Sequence, residues 1–384
     1  MSEQRFERIG IHGFRRLENV QLELRPLTVL IGANGVGKTS LLDVFALLAA
    51  SAAGGLNAAL NDAGGLDAIL TNGRASSLSF NLDLYLPNAS PLQYCLSVGS
   101  RGVSYQLAEE SLTQIREVGK NPFKYIDSKR DRIQYYDTEK KRLGPPTWSH
   151  SPTETSLSQV PKMFREPEEF RSRLASSTFY HALDVTERAP VRLPQPMRPT
   201  YLPGKNGEDL VSCLYSLRET DRDRFDSIED ALRAAFPSFE RLDFPPVAAG
   251  TLALTWRDKN FARPMYMNQL SEGTLRFLWL ATLLQSPGLS AVTLIDEPEV
   301  SLHPELLNLL TELMREASTR TQIIVATHSD RLVRFLDPKE VVVMDTLEDG
   351  STSLSWADSL DLDSWLEDYT LDELWRNGRL GGRA

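Results

Sequence analysis

Four short stretches carry residue types that handle phosphates and water. The first, "GANGVGKTS" (residues 32–40), fits the spacing G-x-x-x-x-G-K-[ST] with Gly32, Gly37, Lys38 and Thr39. Glycines let such a loop curl so that its peptide N–H groups point inward at phosphate oxygens. The backbone of Gly32, Ala33, Asn34, Gly35, Val36, Gly37, Lys38, Thr39 and Ser40 would form that cradle, at the positive end of the helix that follows. Lys38 would bring a point charge to the β- and γ-phosphates of a nucleotide, and Thr39 a hydroxyl to Mg²⁺. A glycine-rich turn with a chance Lys-Thr pair is the plain alternative. The apolar run before the loop and the helical pattern after it argue against that alternative.

The second stretch, "AVTLIDEP" (291–298), is an apolar strand ending in two adjacent carboxylates. Asp296 can hold Mg²⁺ beside Thr39. Strand alternation would turn Glu297 to the opposite side, where it could orient or deprotonate water. The third, "IIVATHSD" (323–330), ends a strand on His328, at the sheet edge where open parallel sheets bind ligands. Its ring could contact a γ-phosphate. The fourth is "LSEGT" (270–274), at the start of an apolar helix. Ser271 reads as an N-cap, with Thr274 in the first turn. Ser271, Glu272 and Gly273 also form a helix start suited to phosphate. The loop at 32–40 already holds one set of phosphates, so this second site points to a nucleotide on another subunit.

These groups need a scaffold. "LTVLIG" (27–32) is a continuous apolar run, as in a buried central strand, and "KTSLLDVFALLAA" is helical up to Gly54. The pattern predicts helix 271–286, strand 291–296, helix 304–318, strand 322–327, helix 330–335 and strand 340–345. Such alternation implies a parallel sheet covered by helices. Strand patterns at 78–86 and "LQYCLSVG" suggest an antiparallel meander. The fold class expected is α/β, a mixed-sheet nucleotide-binding core with an antiparallel β subdomain and a mainly helical inserted lobe. The boundaries expected are a head in two parts (1–110 and 241–346), the lobe at 111–240, and an acidic tail at 347–384.

Composition narrows the function. A net charge of −10 is not the footprint of a dedicated DNA binder, although a local basic face is compatible with it. Two cysteines, Cys95 and Cys213, and five scattered histidines give neither a disulfide framework nor a zinc site. The charged N-terminus and glycine-broken run at 44–60 suggest no secretory signal and no membrane span, hence a cytoplasmic protein. Residues 120–144 mix basic residues with Tyr125, Tyr135 and Tyr136, a pattern that can serve nucleic-acid stacking, but acids are mixed in and the plainer reading is a solvated hairpin. The pairs Asp221-x-Asp223 and Asp361-x-Asp363 read as helix-start or solvated residues.

The order of the four stretches resembles that of ABC-type ATPases: Walker A, LSxG-type signature, Walker B, switch histidine. "IHGFRRLENVQLEL", "LIGANGVGKTSLLD" and "IDEPEVSLHPELL" are most similar to the RecF/SMC-like branch and to stand-alone ATPases related to the overcoming-lysogenization-defect (OLD) family. Transporter ATPases differ at Ser301-Leu302-His303 and carry LSGGQ in place of "LSEGT". The resemblance covers the two head segments and only weakly the middle. It implies an ATP- and Mg²⁺-dependent homodimer in which ATP is sandwiched between heads. Ser271 and Gly273 would then contact the γ-phosphate in trans, Glu297 would activate water and His328 would sense the γ-phosphate. No Q-loop glutamine is identified, and Asn72-Gly73 reads as a turn. No sustained heptads support coiled-coil arms. About 40 residues after the last strand leave little room for a nuclease domain. Two roles fit: a RecF-like ATPase in DNA repair or genome maintenance, or an ATP-switch subunit of an anti-phage system controlling a separate effector without binding DNA.

Overall fold

A computed structural model describes residues 4–381, apart from Val103, Val118, Lys162, Met163, Asp363, Ser364, Leu366 and Glu367. The expectation for Asp363 therefore lies outside the described residues. The chain opens with strands β1 (Arg5–Phe14), β2 (Leu17–Glu23) and β3 (Leu27–Gly32). Helices α1 (Lys38–Ala53), α2 (Leu56–Asp62) and α3 (Leu66–Ile69) follow. Strands β4 (Ser77–Leu86), β5 (Ala89–Arg101), β6 (Ser104–Gln114), β7 (Phe123–Lys129), β8 (Tyr135–Asp137) and β9 (Arg142–Gly144) form a meander. Then come α4 (Arg165–Ala175), β10 (Thr178–Tyr180), β11 (Gln195–Pro196), α5 (Leu210–Thr220) and α6 (Arg222–Ala235). Short strands β12 (Phe239–Asp243), β13 (Pro246–Ala248), β14 (Thr251–Leu252), β15 (Thr255–Asp258) and β16 (Met265–Tyr266) lead into α7 (Glu272–Gln285). The last part holds β17 (Val292–Asp296), α8 (Glu305–Ser318), β18 (Gln322–Ala326), α9 (Asp330–Val333), β19 (Val341–Thr346), β20 (Thr352–Trp356) and α10 (Leu371–Arg376).

The core sheet has the order β10-β17-β18-β3-β19-β20. Its first five strands are parallel, and β20 closes it antiparallel to β19. Every residue of β3 is buried, which explains its unbroken apolar run. Alternate residues divide the sheet between two cores. Leu30, Leu294, Ile324 and Val342 face α1 and the antiparallel sheet. Val29, Ile295, Val325 and Val341 face α5 to α8. Helix α1 ends where Gly54 adopts φ +83° and its N–H caps Ser51 O, as its sequence position implied.

The stretch 111–240 does not form one helical lobe. Strands β6 to β9 extend the antiparallel sheet, whose order is β2-β1-β4-β5-β6-β7-β8-β9. Leu112, Tyr125, Ile126 and Tyr135 bury one face of these strands in the core that includes α1. Helices α5 and α6 pack in the other core with α7 and α8, and β10 joins the central sheet. The described part of the acidic tail at 347–384 is built into the fold. Strand β20 pairs with β19, and Leu371, Leu374 and Trp375 are buried in the core. The acids of that segment had masked its apolar positions. Asp221 does start a helix, accepting the Arg224 N–H at 3.4 Å, and Asn72-Gly73 lies in a turn. Cys213 is buried and Cys95 half-buried, both free.

Candidate functional site

Four parallel strands end at one edge of the core sheet, and the loops leaving them build the site. After β3 the chain turns through Gly32 (φ +147°), Gly35 (φ +75°) and Gly37 (φ +112°) before α1 begins at Lys38. A side chain at Gly32 would collide with the Met344 carbonyl of β19, so only glycine lets the loop leave the sheet here. The far side of the loop is held by Thr352, whose hydroxyl donates to Val36 O at 2.7 Å.

Lys38 is buried and turns back over its own loop. Its Nζ donates to Gly32 O at 2.6 Å and Ala33 O at 3.1 Å, and lies 3.2 Å from Nδ1 of His328. Burial lowers its pKa to about 8, against the opposing pull of Glu297, Asp296 and Glu299. Thr39 Oγ1 lies 3.3 Å from Asp296 Oδ2, bringing together the hydroxyl and carboxylate expected to share a cation. Burial, then the charge of Glu297, raises the pKa of Asp296. A carboxylate made costly to ionise beside a hydroxyl is a donor set that fits Mg²⁺, a hard cation taking oxygen ligands.

Glu297 is not placed by strand alternation. Strand β17 stops at Asp296, and Glu297 adopts φ +50° with its N–H bonded to Ala326 O at 2.8 Å across to β18. This left-handed residue keeps its carboxylate at the same edge, 3.8 Å from His328 Nε2. His328 is held below its ordinary pKa by burial and by Lys38, so its ring is neutral at pH 7.

Ser271 caps α7: its Oγ accepts the Thr274 N–H at 3.1 Å and lies 2.7 Å from Thr274 Oγ1. Ser271 and Glu272 are exposed at this helix start. Gly273 packs against the loop after β17, where an added Cβ would sit 2.6 Å from Ser301 O. The signature and Walker B segments are thus in direct backbone contact.

Two residues were missed in the sequence. Glu299 accepts from Thr327 Oγ1 at 2.5 Å and from the His328 N–H at 3.2 Å, fixing the peptide that carries the histidine. Its signal was the third acid in "DEPE". His181 follows β10, whose pairing of Tyr180 with Ile295 brings His181 level with Asp296. A strand of only three residues, too short to show a periodicity, gave that histidine no visible context. In contrast, Tyr125 and Tyr135 cannot stack on bases. Both are buried, with hydroxyls donating to Gln114 Oε1 and Ser156 O, and Tyr136 packs on Phe123. Lys124 and Lys129 pair with Asp127 and Glu109, as in a solvated hairpin. No group of three metal-ligating residues occurs among the described residues.

Residues 27–334 match the model of the family described as "AAA domain, putative AbiEii toxin, Type IV TA system". The chain belongs to this AAA family. Within it, the ATPase domain has the fold of an SMC head. It aligns with the crystal structure of the SmcHead bound to the C-winged helix domain of ScpA at a TM-score of 0.56 and 14% identity, covering 91% of this chain and 97% of that one. A second match is the Smc head domain with an extended coiled coil, bound to the C-terminal domain of ScpA derived from Pyrococcus furiosus. It aligns at a TM-score of 0.54 and 11% identity, covering 95% and 100% of the two chains. No curated protein matches the sequence. The fold it shares with these heads is that of an ABC-type P-loop ATPase domain, and no described helix is long and apolar enough to cross a membrane.

Proposed function

We propose that this protein binds and hydrolyses ATP, and that two copies close head to head over two nucleotides. The observation that carries this reading is the convergence of Lys38, Thr39, Asp296, Glu297 and His328 on one sheet edge through contacts of 3.2 to 3.8 Å. Incoming phosphates would draw the Lys38 ammonium away from the Gly32 and Ala33 carbonyls. Thr39 and Asp296 would hold Mg²⁺, which when bound neutralises charge on the phosphate oxygens. Glu297 takes a proton from the attacking water, and His328 donates a hydrogen bond to a γ-phosphate oxygen. Ser271 and the N-terminus of α7 would meet the γ-phosphate held by the other copy. ATP then favours the closed dimer only through contacts absent from the open one.

The Glu297→Gln protein tests this directly. It should retain ATP and accumulate as a dimer with ATP and Mg²⁺ in analytical ultracentrifugation. A monomer at saturating nucleotide would remove the sandwich.

Two biological settings follow. The SMC-head likeness supports a role on DNA in repair or genome maintenance. The family description, together with the burial of Tyr125 and Tyr135, supports an ATP switch that controls a separate effector in a conflict system. Stimulation of hydrolysis by DNA at moderate salt favours the first, and indifference to DNA the second.

A further inference from the structure

Arg192 ends a short 3-10 turn, Pro190–Arg192, whose central Val191 is fully buried and whose Arg192 N–H closes onto Ala189 O. The guanidinium reaches from this fixed point to the segment just ahead of the signature. Its Nε donates to Val185 O at 2.7 Å. Its Nη1 donates to Leu270 O at 3.0 Å, with Met267 O and Asn268 O each at 3.5 Å. Leu270 O belongs to the peptide that joins Leu270 to Ser271. All four partners are neutral carbonyls. Among the described residues no carboxylate lies within ion-pair range of Arg192, whereas neighbouring arginines such as Arg198 are paired with an acid. A whole positive charge is therefore held, without a counter-ion, one peptide from the exposed start of α7.

We infer that Arg192 is a positioning and charging residue of the signature: it fixes the Leu270-Ser271 peptide and adds a full cation to the partial positive charge of the helix end. The ligand it serves is the γ-phosphate of an ATP bound to a second copy, so the inference rests on the sandwich proposed above. A helix end alone carries about half a charge. An unpaired guanidinium adds twice that, and with its Nε and Nη1 donors engaged on carbonyls it acts on the phosphate through its charge and through the peptide it holds. Its effect should be felt only when the phosphate arrives in trans. The cis nucleotide is held by the loop at 32–40.

The experiment uses the Glu297→Gln chain as parent and measures the ATP-dependent dimer constant and the ATP affinity of the dilute monomer. Arg192→Met removes charge and donors, Arg192→Gln keeps a donor without charge, and Arg192→Lys keeps the charge. A unit charge lost at close range costs on the order of tenfold per site, and a symmetric dimer has two sites. Arg192→Met and Arg192→Gln should weaken the dimer about a hundredfold at low salt, while Arg192→Lys should stay within a few-fold of the parent. Monomer affinity for ATP should not change, and the salt dependence of dimerisation should flatten in the two neutral variants. Dimers of parental strength in the neutral variants would overturn the inference and leave the sandwich standing. Equal weakening in Arg192→Lys and Arg192→Gln would overturn the charge role, since only the fork geometry would matter. Should Arg192→Met not fold, the Gln and Lys pair decides. A parent that stays monomeric brings down the sandwich itself.

Discussion

Gly273→Ala sets two effects of opposite sign against each other. In an ordinary exposed helix the change gains about 1 kcal/mol, because alanine loses less backbone freedom than glycine. At the second residue of α7, however, the new methyl would sit 2.6 Å from Ser301 O. Ordinary non-bonded separations are about 3.5 Å or more, so one backbone must move. Overpacking of this kind costs about 1–3 kcal/mol. Ser301 cannot retreat freely. It already holds φ +61°, a region that costs an L-residue about 1–2 kcal/mol, and the neighbouring Leu302 N–H is tied to Glu299 O at 3.0 Å. Because Ser301 cannot yield, the cost falls in the upper part of that range, about 2–3 kcal/mol, and after the helical gain the clash should win by about 1–2 kcal/mol. Two large cores make global unfolding a blunt measure, so the assay is amide hydrogen exchange in the loop 299–303. Exchange there should quicken by about 5- to 30-fold, the factor that corresponds to that energy. Adding Ser301→Gly should return part of the loss, because glycine accepts the left-handed conformation and lets the loop yield. A double-mutant cycle should show coupling of about 1 kcal/mol. Unchanged or slower exchange in Gly273→Ala would refute the idea that signature and Walker B loop are held at fixed separation by a missing side chain. Gly35→Ala is the control: its φ of +75° is strained for alanine, but no atom lies near the added carbon.

Three further outcomes follow from the site. Lys38 has a pKa of about 8 in the free protein, so its amine is neutral above that pH. Phosphates restore the charge, and ATP binding at pH 9 should take up a proton and weaken by up to about tenfold per pH unit. Calorimetry in buffers of different ionisation enthalpy reads that proton, and buffer-independent heats would exclude it. Thr352→Val removes the hydroxyl bonded to Val36 O, leaving a buried carbonyl short of a donor at a cost of about 1 kcal/mol. Nucleotide affinity should drop several-fold in a binding titration with little change in secondary structure by circular dichroism. Ser271→Ala loses the cap of α7, worth about 1 kcal/mol, and should spare ATP binding while slowing turnover more than tenfold. Equal losses in binding and turnover would place Ser271 in the cis site instead.

The central sheet was legible because its strands are continuous apolar runs that end in a chemical signature. Strands β17, β18 and β19 and helices α7 and α8 start and stop within two residues of the positions their patterns predict. The strand-end positions of the 32–40 loop, Asp296 and His328 were legible for the same reason, since each lies where a buried run meets polar loop residues. Long-range placement was not. Strand β10 has three residues and gains its identity from the neighbour it pairs with, so His181 stayed hidden. The 352–356 strand and Trp375 lie among acids, and their burial depends on a surface made by β19 and α9 rather than on local pattern. The direction of Glu297 followed from a single left-handed residue that no alternation rule contains. Tyr125 and Tyr135 are the converse case. Basic neighbours suggested an open face, but tertiary contacts turned both rings inward.

The place of β3 has a consequence for how the molecule comes to exist. This strand lies between β18 and β19, and the hydroxyl that steadies its loop is 316 residues away in sequence. Contacts of such separation form late, after much loop entropy has been lost. During synthesis the antiparallel meander can pair with itself, while "LTVLIG" waits with both edges bare. An uncovered apolar strand is a template for joining another chain. The nucleotide loop therefore acquires its shape only when distant strands close around it, and the same uncovered strand is where aggregation of nascent chains should begin.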